Sequence, residues 1–408
     1  MSSLAGRRIV LGVSGSVAAY KAADLASRLT QEGALVDAVL TPAATRFVSP
    51  LTFRSLTGRP ALADLWSEEA HVAHVALGRE ADLLLVAPAT ADLIAKLAHG
   101  LADDLLTVTA LASSSPLVVC PAMDAGMWEH PATRANVETL KARGATFVGP
   151  AEGRMASGLS GTGRFVEPGE IVDRLRTLLG AKGPLVGRTV VVTAGPTYEP
   201  VDPVRFVGNR SSGRQGFAVA RAALDRGARV ILIAGPTSLA TPAGAERIDV
   251  GTAAEMREAV LRSSAKADAL VMAAAVADFT PGKSSVGKLK RGAAGSLTLE
   301  LAPTADILAE VGARRRKTKR PTVLVGFAAE TGDPIPEAHR KLDGKGLDLV
   351  VANDVTAPGA GFEVATNRVV LVERSTAVSF PLMTKDEVAG LLLDRVAARL
   401  GRVRGGTR

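Results

Sequence analysis

A single cysteine, Cys120, stands in a chain of 408 residues, so no internal disulfide and no cysteine cage for a metal can form. Aromatic residues make up only 3%. That leaves few of the stacking platforms on which single-stranded nucleic acid is held. No apolar run approaches membrane-spanning length. The N-terminal Met-Ser-Ser-Leu-Ala-Gly-Arg-Arg leads into an apolar run without a signal-peptide core, so a cytoplasmic protein with no membrane partner is expected.

What the chain does have is globular composition, 47% hydrophobic and 22% charged, in a length that suits two or three domains. The net charge of +8 suits anionic substrates. The positive excess gathers only at residues 314–320 and in the tail after Arg399. The first cluster closes a helix, where cations complement the dipole. With few aromatics and no recognition helix, a nucleic-acid partner is not expected.

Apolar β-branched runs alternate with helical segments along the whole chain. In the first half strands are expected at 8–12, 34–40, 81–87, 117–120 and 145–148, with helices at 91–99, 131–143 and 169–179. Residues 151–166 are glycine-rich without a period and read as a functional loop. The stretch 180–187 (Gly-Ala-Lys-Gly-Pro-Leu-Val-Gly) is the linker candidate. In the second half strands are expected at 189–193, 229–233, 246–250, 269–275, 297–301, 322–327 and 347–351. A hairpin at 368–382 and a helix at 384–400 follow. The fold class is therefore α/β, two doubly wound Rossmann-like domains, expected at 1–183 and 184–408.

Residues 188–224 carry the strongest local signal. A Val-Val-Val strand is followed by three prolines, Pro196, Pro200 and Pro203, that forbid a helix. Then comes Gly208-Asn-Arg-Ser-Ser-Gly-Arg-Gln-Gly216 and an alanine-rich helix. Glycines allow close backbone approach, and the helix amides point into the loop, so an anion site is expected there. The pattern is neither a Walker A loop nor the dinucleotide GxGxxG. A plain glycine turn would not need the extra donors Asn209, Arg210 and Arg214.

In the first half Ser14, Gly15, Ser16 and Thr41 follow strands, at the sheet edge where ligands bind. Read locally, glycine and serine at such a turn are more often merely structural. His71 and His74 lie three apart but lack further metal ligands, so ordinary hydrogen-bonded histidines are the simpler reading. Pro88-Ala-Thr-Ala-Asp92 and Pro121-Ala-Met-Asp124 follow strands on the same edge.

The ordered motifs Gly12-Val-Ser-Gly-Ser-Val-Ala-Ala-Tyr-Lys21, His74, Ala87-Pro-Ala-Thr-Ala-Asp92, Pro121-Ala-Met123 and Thr193-Ala-Gly-Pro-Thr197 run through the chain. Asp202-Pro-Val-Arg205, Asn209-Arg-Ser-Ser-Gly213, Ala273-Ala-Ala-Val-Ala-Asp278, Gly326-Phe-Ala-Ala-Glu-Thr331 and Ala352-Asn-Asp354 complete them. Together they resemble the bifunctional proteins of coenzyme A biosynthesis, over nearly the whole chain. That family joins a flavodoxin-like phosphopantothenoylcysteine decarboxylase to a phosphopantothenate–cysteine ligase.

For the first half the resemblance implies FMN, with its phosphate against Ser14, Gly15, Ser16 and Thr41 and its ring bordered by Ala89 and Thr90. His74 is implied as catalytic base, and Met123 with residue 124 as substrate-binding. Two positions depart from the family pattern. Its Pro-Ala-Met-Asn reads Pro-Ala-Met-Asp here, with Asp124 where an asparagine holds the substrate carboxylate. Ser157 stands where the family places a proton-donating cysteine; a serine relay or Cys120 are the substitutes.

For the second half the resemblance implies 4'-phosphopantothenate, cysteine, CTP and Mg2+. Ala273, Ala274, Asp278 and Phe327 are implied for the cytidine, Asp306 and Ile307 for a further CTP turn, and Lys288 for a flap. Lys341 and Lys345 are implied for phosphates and Asn209 for the substrate or its acyl-cytidylate; metal ligands are not implied. A homo-oligomer is implied as well, trimer-based in the first half and dimeric in the second. Alternatives are a flavin prenyltransferase-type or regulatory flavin domain beside the ligase, and a nucleic-acid binder using residues 314–320.

Overall fold

The structure, a computed structural model, describes residues 2–66, 73–290, 297–361 and 364–401. It divides into two compact units, Ser2–Leu178 and Leu179–Arg408.

The first unit holds six parallel strands: β1 (Arg8–Val13), β2 (Leu35–Leu40), β3 (Ala61–Leu62), β4 (Leu83–Ala89), β5 (Leu117–Pro121) and β6 (Thr146–Phe147), in the order β3-β2-β1-β4-β5-β6. Every residue of β4 is buried, as a central strand covered on both faces requires. One face packs Val10, Leu84, Val86 and Val119 against Leu93, Leu106 and Leu140 of the crossover helices.

The stretch expected as a loop at 151–166 contains an antiparallel hairpin, β7 (Ala151–Arg154) with β8 (Ser160–Arg164). Its glycines hid the strands from the sequence, because a ladder needs only backbone groups and these side chains carry no alternating pattern.

The second unit repeats the arrangement. Its strands are β9 (Thr189–Ala194), β10 (Tyr198–Pro200), β11 (Phe206–Gly208), β12 (Arg229–Ala234), β13 (Glu246–Asp249), β14 (Ala269–Met272), β15 (Phe279–Pro281), β16 (Leu301–Pro303), β17 (Val323–Glu330), β18 (Leu349–Asp354), β19 (Thr366–Asn367), β20 (Val370–Val372), β21 (Ala377–Ser379) and β22 (Met383–Thr384). The main sheet runs β13-β12-β9-β14-β17-β18-β20-β21, parallel through β18 and antiparallel for the last two. One face carries helices Arg214–Leu224 and Lys385–Leu400; the other carries Ala253–Ser264, Ile307–Thr318 and Ile335–Lys345. The expected sheet strand at 297–301 does not form: residues 297–300 belong to no strand, and Leu301 opens β16, which pairs antiparallel with β15 outside the main sheet. Its leucines stay solvent-facing, so their alternation marks an exposed ribbon and no core.

The linker candidate is not loose. Leu185 is fully buried in the second core. A Cβ on Gly180 or Gly183 would run into the carbonyls of Asp225 or Arg226. Glycine here serves close packing.

Both parallel sheets reverse strand order once, between β1 and β4 and between β9 and β14. Ligands of open α/β sheets bind outside the carboxyl ends at such reversals. In each unit one hydroxyl joins the two strands there. Ser14 Oγ donates to the Pro88 carbonyl (2.7 Å) and accepts from Thr90 N–H (3.0 Å). Thr193 Oγ1 accepts from Ala274 N–H (3.0 Å). This equivalence is invisible in sequence.

Candidate functional site

In the first unit, Ser14, Gly15, Ser16, Thr41, Ala89 and Thr90 all fall at the carboxyl ends of β1, β2 and β4. Ser14 is buried, its hydroxyl engaged in the joint between β1 and β4. Ser16 Oγ accepts from Ala18 N–H, and Thr41 Oγ1 from Ala44 N–H. Gly15 lies so close to Ala43 that a Cβ would sit 2.5 Å from the alanine methyl. Helix Ala19–Gln31 starts from Ala18 with no side-chain cap; the Ala19 and Lys21 amides bond instead to the carbonyls of Ser16 and Ala18. Helix Ala91–His99 is capped by Thr90 itself. Ala89 is fully buried.

The β7–β8 hairpin docks on the turn after β5. Met123 N–H donates to the Gly163 carbonyl (3.0 Å). At the hairpin tip Ser157 Oγ donates to Asp124 Oδ2 at 2.7 Å. The two positions that depart from the family pattern therefore contact each other. That bond, with a second from Gly126 N–H, holds the Asp124 carboxyl below its ordinary range, so it is ionised at neutral pH. Cys120 is fully buried in β5, and burial pushes its thiol well above the usual range, which removes it as a proton donor near neutrality. His74 opens helix Ala73–Glu80 half-buried, with Nδ1 buried and lacking a hydrogen-bond partner among the described residues. His71 lies outside the described residues.

A Cβ at Gly163 would overlap the Met123 carbonyl. Gly163→Ala is expected to lift the hairpin from the turn and destabilise the first unit by about 1–3 kcal/mol. The urea midpoint of that unit's transition measures this; an unchanged midpoint would refute the packing.

In the second unit a cavity of about 550 Å³ opens over the carboxyl ends of the strands. Ala273, Ala274 and Asp278 line it from the segment after β14, together with Phe327 of β17. That segment is pinned by Thr193 and by Thr197, whose Oγ1 accepts from Ala277 N–H (2.9 Å). Asn209 reaches over, donating Nδ2 to the Val276 carbonyl (3.0 Å). Asp306 caps helix Ile307–Thr318 by accepting from Ala309 N–H, and Ile307 lies beside it in the wall. Lys345 pairs with Asp306 (2.8 Å) and Lys341 with Glu330 (2.9 Å). Burial alone would raise the Asp306 carboxyl, but Lys345 and the Ala309 amide hold it below the usual range.

Helix Arg214–Leu224 comes up to the cavity on two glycines. Gly213 caps it at φ 77°, a left-handed conformation that suits glycine. At Gly216 a Cβ would press on Ala194 at 2.5 Å.

One expected residue is not brought in. Lys288 is exposed and does not line the cavity. The segment around it is tied to the loop between β10 and β11: Leu289 N–H donates to Asp202 (3.1 Å), and Arg205 donates to the Leu289 carbonyl (3.0 Å). Burial would raise the Asp202 carboxyl, yet the amides of Val204, Leu289 and Arg205 keep it below its ordinary range.

Sequence reasoning missed Lys385 and Asn367, which also line the cavity, and gave no role to Asn353 of the Ala352-Asn-Asp354 motif, which lines it too. Thr384 and Glu387 form a capping box that signals only a helix start. Of the basic cluster, Arg314, Arg315 and Arg320 are ion-paired with Glu310, Asp348 and Asp268.

Residues 1–180 match the family model described as "Flavoprotein", and residues 185–400 match "DNA/pantothenate metabolism flavoprotein C-terminal domain". Over 401 residues the chain is 46% identical to the Coenzyme A biosynthesis bifunctional protein CoaBC of Bacillus subtilis (strain 168), covering 97% of this chain and 98% of that one. With the protein of the same name from Mycobacterium tuberculosis (strain ATCC 25618 / H37Rv) it shares 47% identity over 372 residues, 88% of this chain and 89% of that one. Among solved structures, a crystal structure of the C-terminal domain of such a protein is 36% identical, with a TM-score of 0.45, and covers 53% of this chain and 98% of its own.

Proposed function

The chain belongs to the coenzyme A biosynthesis bifunctional proteins, and from that premise we propose a division of labour between its two units. It is a bifunctional coenzyme A biosynthesis enzyme, a flavoprotein unit followed by a ligase unit. The first step falls to the second unit. The carboxylate of 4'-phosphopantothenate attacks the α-phosphate of CTP, releasing pyrophosphate and leaving an acyl-cytidylate. The amine of cysteine then attacks the acyl carbon and displaces CMP. The observation that carries this reading is the cavity: nine residues singled out by sequence motif, spread from Asn209 to Lys345, line one space.

In that space Ala273, Ala274, Asp278 and Phe327 suit the nucleoside. Lys341 and Lys345 face the phosphates and exchange Glu330 and Asp306 for them. Asn209 stands at the mouth of the helix-capping loop, placed for the acyl phosphate. Among the described residues no cluster of three or more His, Cys, Asp or Glu side chains could hold a metal ion. Magnesium is accordingly assigned to the CTP phosphates, as is usual for nucleotide complexes.

The first unit then removes carbon dioxide from the phosphopantothenoylcysteine. Its residues fit FMN: the hydroxyls of Ser16 and Thr41, before helix Ala19–Gln31 and after β2, suit a phosphate, and Ala89 and Thr90 at the end of β4 are assigned to the border of its ring. Bound there, FMN supplies an electron sink that makes loss of carbon dioxide easy and afterwards returns the hydride. His74 serves as base at the substrate, its other nitrogen kept out of solvent. Ser157 hands on a proton, with Asp124 as the partner that orients its hydroxyl.

Among the described residues no helix is long and apolar enough to cross a membrane. A cytoplasmic location and a homo-oligomer, trimer-based in the first unit and dimeric in the second, complete the proposal. Incubation with 4'-phosphopantothenate, cysteine, CTP and magnesium, followed by mass analysis, tests it: phosphopantetheine, CMP and pyrophosphate are expected. Absence of CMP would overturn the ligase assignment.

One observation favours a second reading, in which the flavin unit regulates instead of decarboxylating. Asp124 is ionised where a substrate carboxylate is to be held, and like charges repel. Asp124→Asn keeps the acceptor for Ser157 and removes the charge. Decarboxylation of supplied phosphopantothenoylcysteine is expected to rise about tenfold in kcat/KM. A fall would make Asp124 a working carboxylate and sink the repulsion argument.

A further inference from the structure

The motif Thr193-Ala-Gly-Pro-Thr197 carries two fully buried threonines, Thr193 inside β9 and Thr197 just beyond it. Both hydroxyls are directed at the chain that follows β14. Thr193 Oγ1 accepts from Ala274 N–H (3.0 Å) and donates to Met272 Sδ (3.7 Å). Thr197 Oγ1 accepts from Ala277 N–H (2.9 Å). Between the two threonines the Gly195 carbonyl accepts from Ala275 N–H (2.9 Å). β-Branching restricts rotation about χ1, so each hydroxyl is a fixed acceptor.

The segment they hold, 273–278, forms no helix and no strand; its one bridge joins Ala275 to Pro196. A stretch without a ladder of its own takes its shape from the groups that satisfy its backbone. The opposite side is tied as well. Asn209 Nδ2 donates to the Val276 carbonyl (3.0 Å). Thr304 Oγ1 donates to the Ala277 carbonyl (2.7 Å), and Thr304 N–H to that of Asp278 (2.9 Å). Ala274, Ala275, Val276, Ala277 and Asp278 are therefore each pinned through a backbone group. Ala273, Ala274 and Asp278 of the same segment line the cavity, whereas neither Thr193 nor Thr197 does. Loss of either hydroxyl leaves an amide without its acceptor and a peptide free to turn.

We infer that Thr193 and Thr197 are positioning residues for base selection: by fixing the peptide groups of 273–278 they let the cavity tell cytosine from uracil. The inference rests on the proposed CTP-dependent ligation. Cytosine presents an amino donor beside a ring-nitrogen acceptor, and uracil reverses both. Peptide groups held in one orientation match one of these patterns and leave a group unpaired against the other. A segment whose peptides can turn accommodates both. The threonines touch no substrate, and their effect passes entirely through the backbone they hold.

The test uses the full chain with CTP and UTP as probes. Valine keeps the outline of threonine and removes its hydroxyl, and serine keeps the hydroxyl. In Thr193→Val and in Thr197→Val the KM for CTP is expected to rise about tenfold with kcat near wild type, as lost binding without lost chemistry gives. The preference for CTP over UTP in kcat/KM should fall about tenfold, because one buried hydrogen bond supporting the segment is gone. Thr193→Ser and Thr197→Ser should restore most of both. A threonine that only packs lowers the urea midpoint of the second unit and leaves base preference alone. Undiminished preference in both valine variants therefore overturns the inference, as do serine variants that discriminate no better than the valine ones. If Thr193→Val fails to fold, Thr197→Val, outside every strand, carries the test. Calorimetry with the two nucleotides separates the inference from the reading beneath it. Wild type that binds CTP and UTP equally removes the nucleotide reading itself. Wild type that prefers CTP, beside valine variants that prefer it as strongly, removes only the positioning role.

Discussion

In His74→Asn, ligation is expected to continue at the wild-type rate while decarboxylation falls by about 10²–10⁴-fold, the usual worth of a positioned general base. Asparagine keeps a similar size and a hydrogen-bonding end but cannot take up a proton at neutral pH. The structural reason for choosing this residue is its Nδ1, buried and without a hydrogen-bond partner among the described residues. A histidine with only a packing role would have that nitrogen satisfied. The two activities are carried by separate compact units, so loss of one with retention of the other is the discriminating result. Phosphopantothenoylcysteine should accumulate in the coupled assay, with CMP release undiminished. Phosphopantetheine formed at the wild-type rate would remove His74 from the chemistry; loss of both activities would point to misfolding, which a thermal unfolding scan detects.

The second large effect is expected at Lys288. Lys288→Gln should slow formation of the acyl-cytidylate by about 10²-fold, since a cation positioned against charge building on a phosphate contributes a few kcal/mol to the transition state. Lys288 is exposed and away from the cavity wall, so the effect requires its segment to move. That segment is fastened at Leu289 through Asp202 and Arg205. The same loop leads through β11 into Asn209. Pyrophosphate release measures the step, and decarboxylation of supplied phosphopantothenoylcysteine serves as internal control. Unchanged pyrophosphate release is what a solvated surface lysine gives, and that result would falsify the flap role.

Much of the architecture was legible locally. The apolar runs at β1, β4, β9 and β18 are buried nearly throughout, and a parallel strand covered on both faces writes itself as an uninterrupted apolar stretch. The helix expected at 91–99 does close there, on Gly100 in the left-handed conformation. The hairpin at 151–164 and the ribbon at 301–303 were misread for the converse reason. Their strands bury little, so burial imposed no pattern on their side chains. At the site, motif residues from Asn209 to Lys345 could be named in advance because the family pattern fixes their type. Lys385 could not: nothing near Thr384 says that the next residue faces Arg214.

What the sequence determined by itself is whatever depends on near neighbours: strand and helix identity, the glycine loop before helix Arg214–Leu224, the family, and the residue types offered to each substrate. Tertiary structure alone decided the pairings between distant residues. It set Ser157 on Asp124 across 33 positions, which turned two unrelated departures from the family pattern into one hydrogen-bonded pair. It brought Lys385 beside the Arg214 helix across 170 positions, and it packed residues 180–187 against the second core. The physical reason is that hydrophobic periodicity specifies which face of an element is buried and is silent about its partner. The partner is chosen by the order in which strands join the sheet, and that order becomes visible only once the chain has closed on itself.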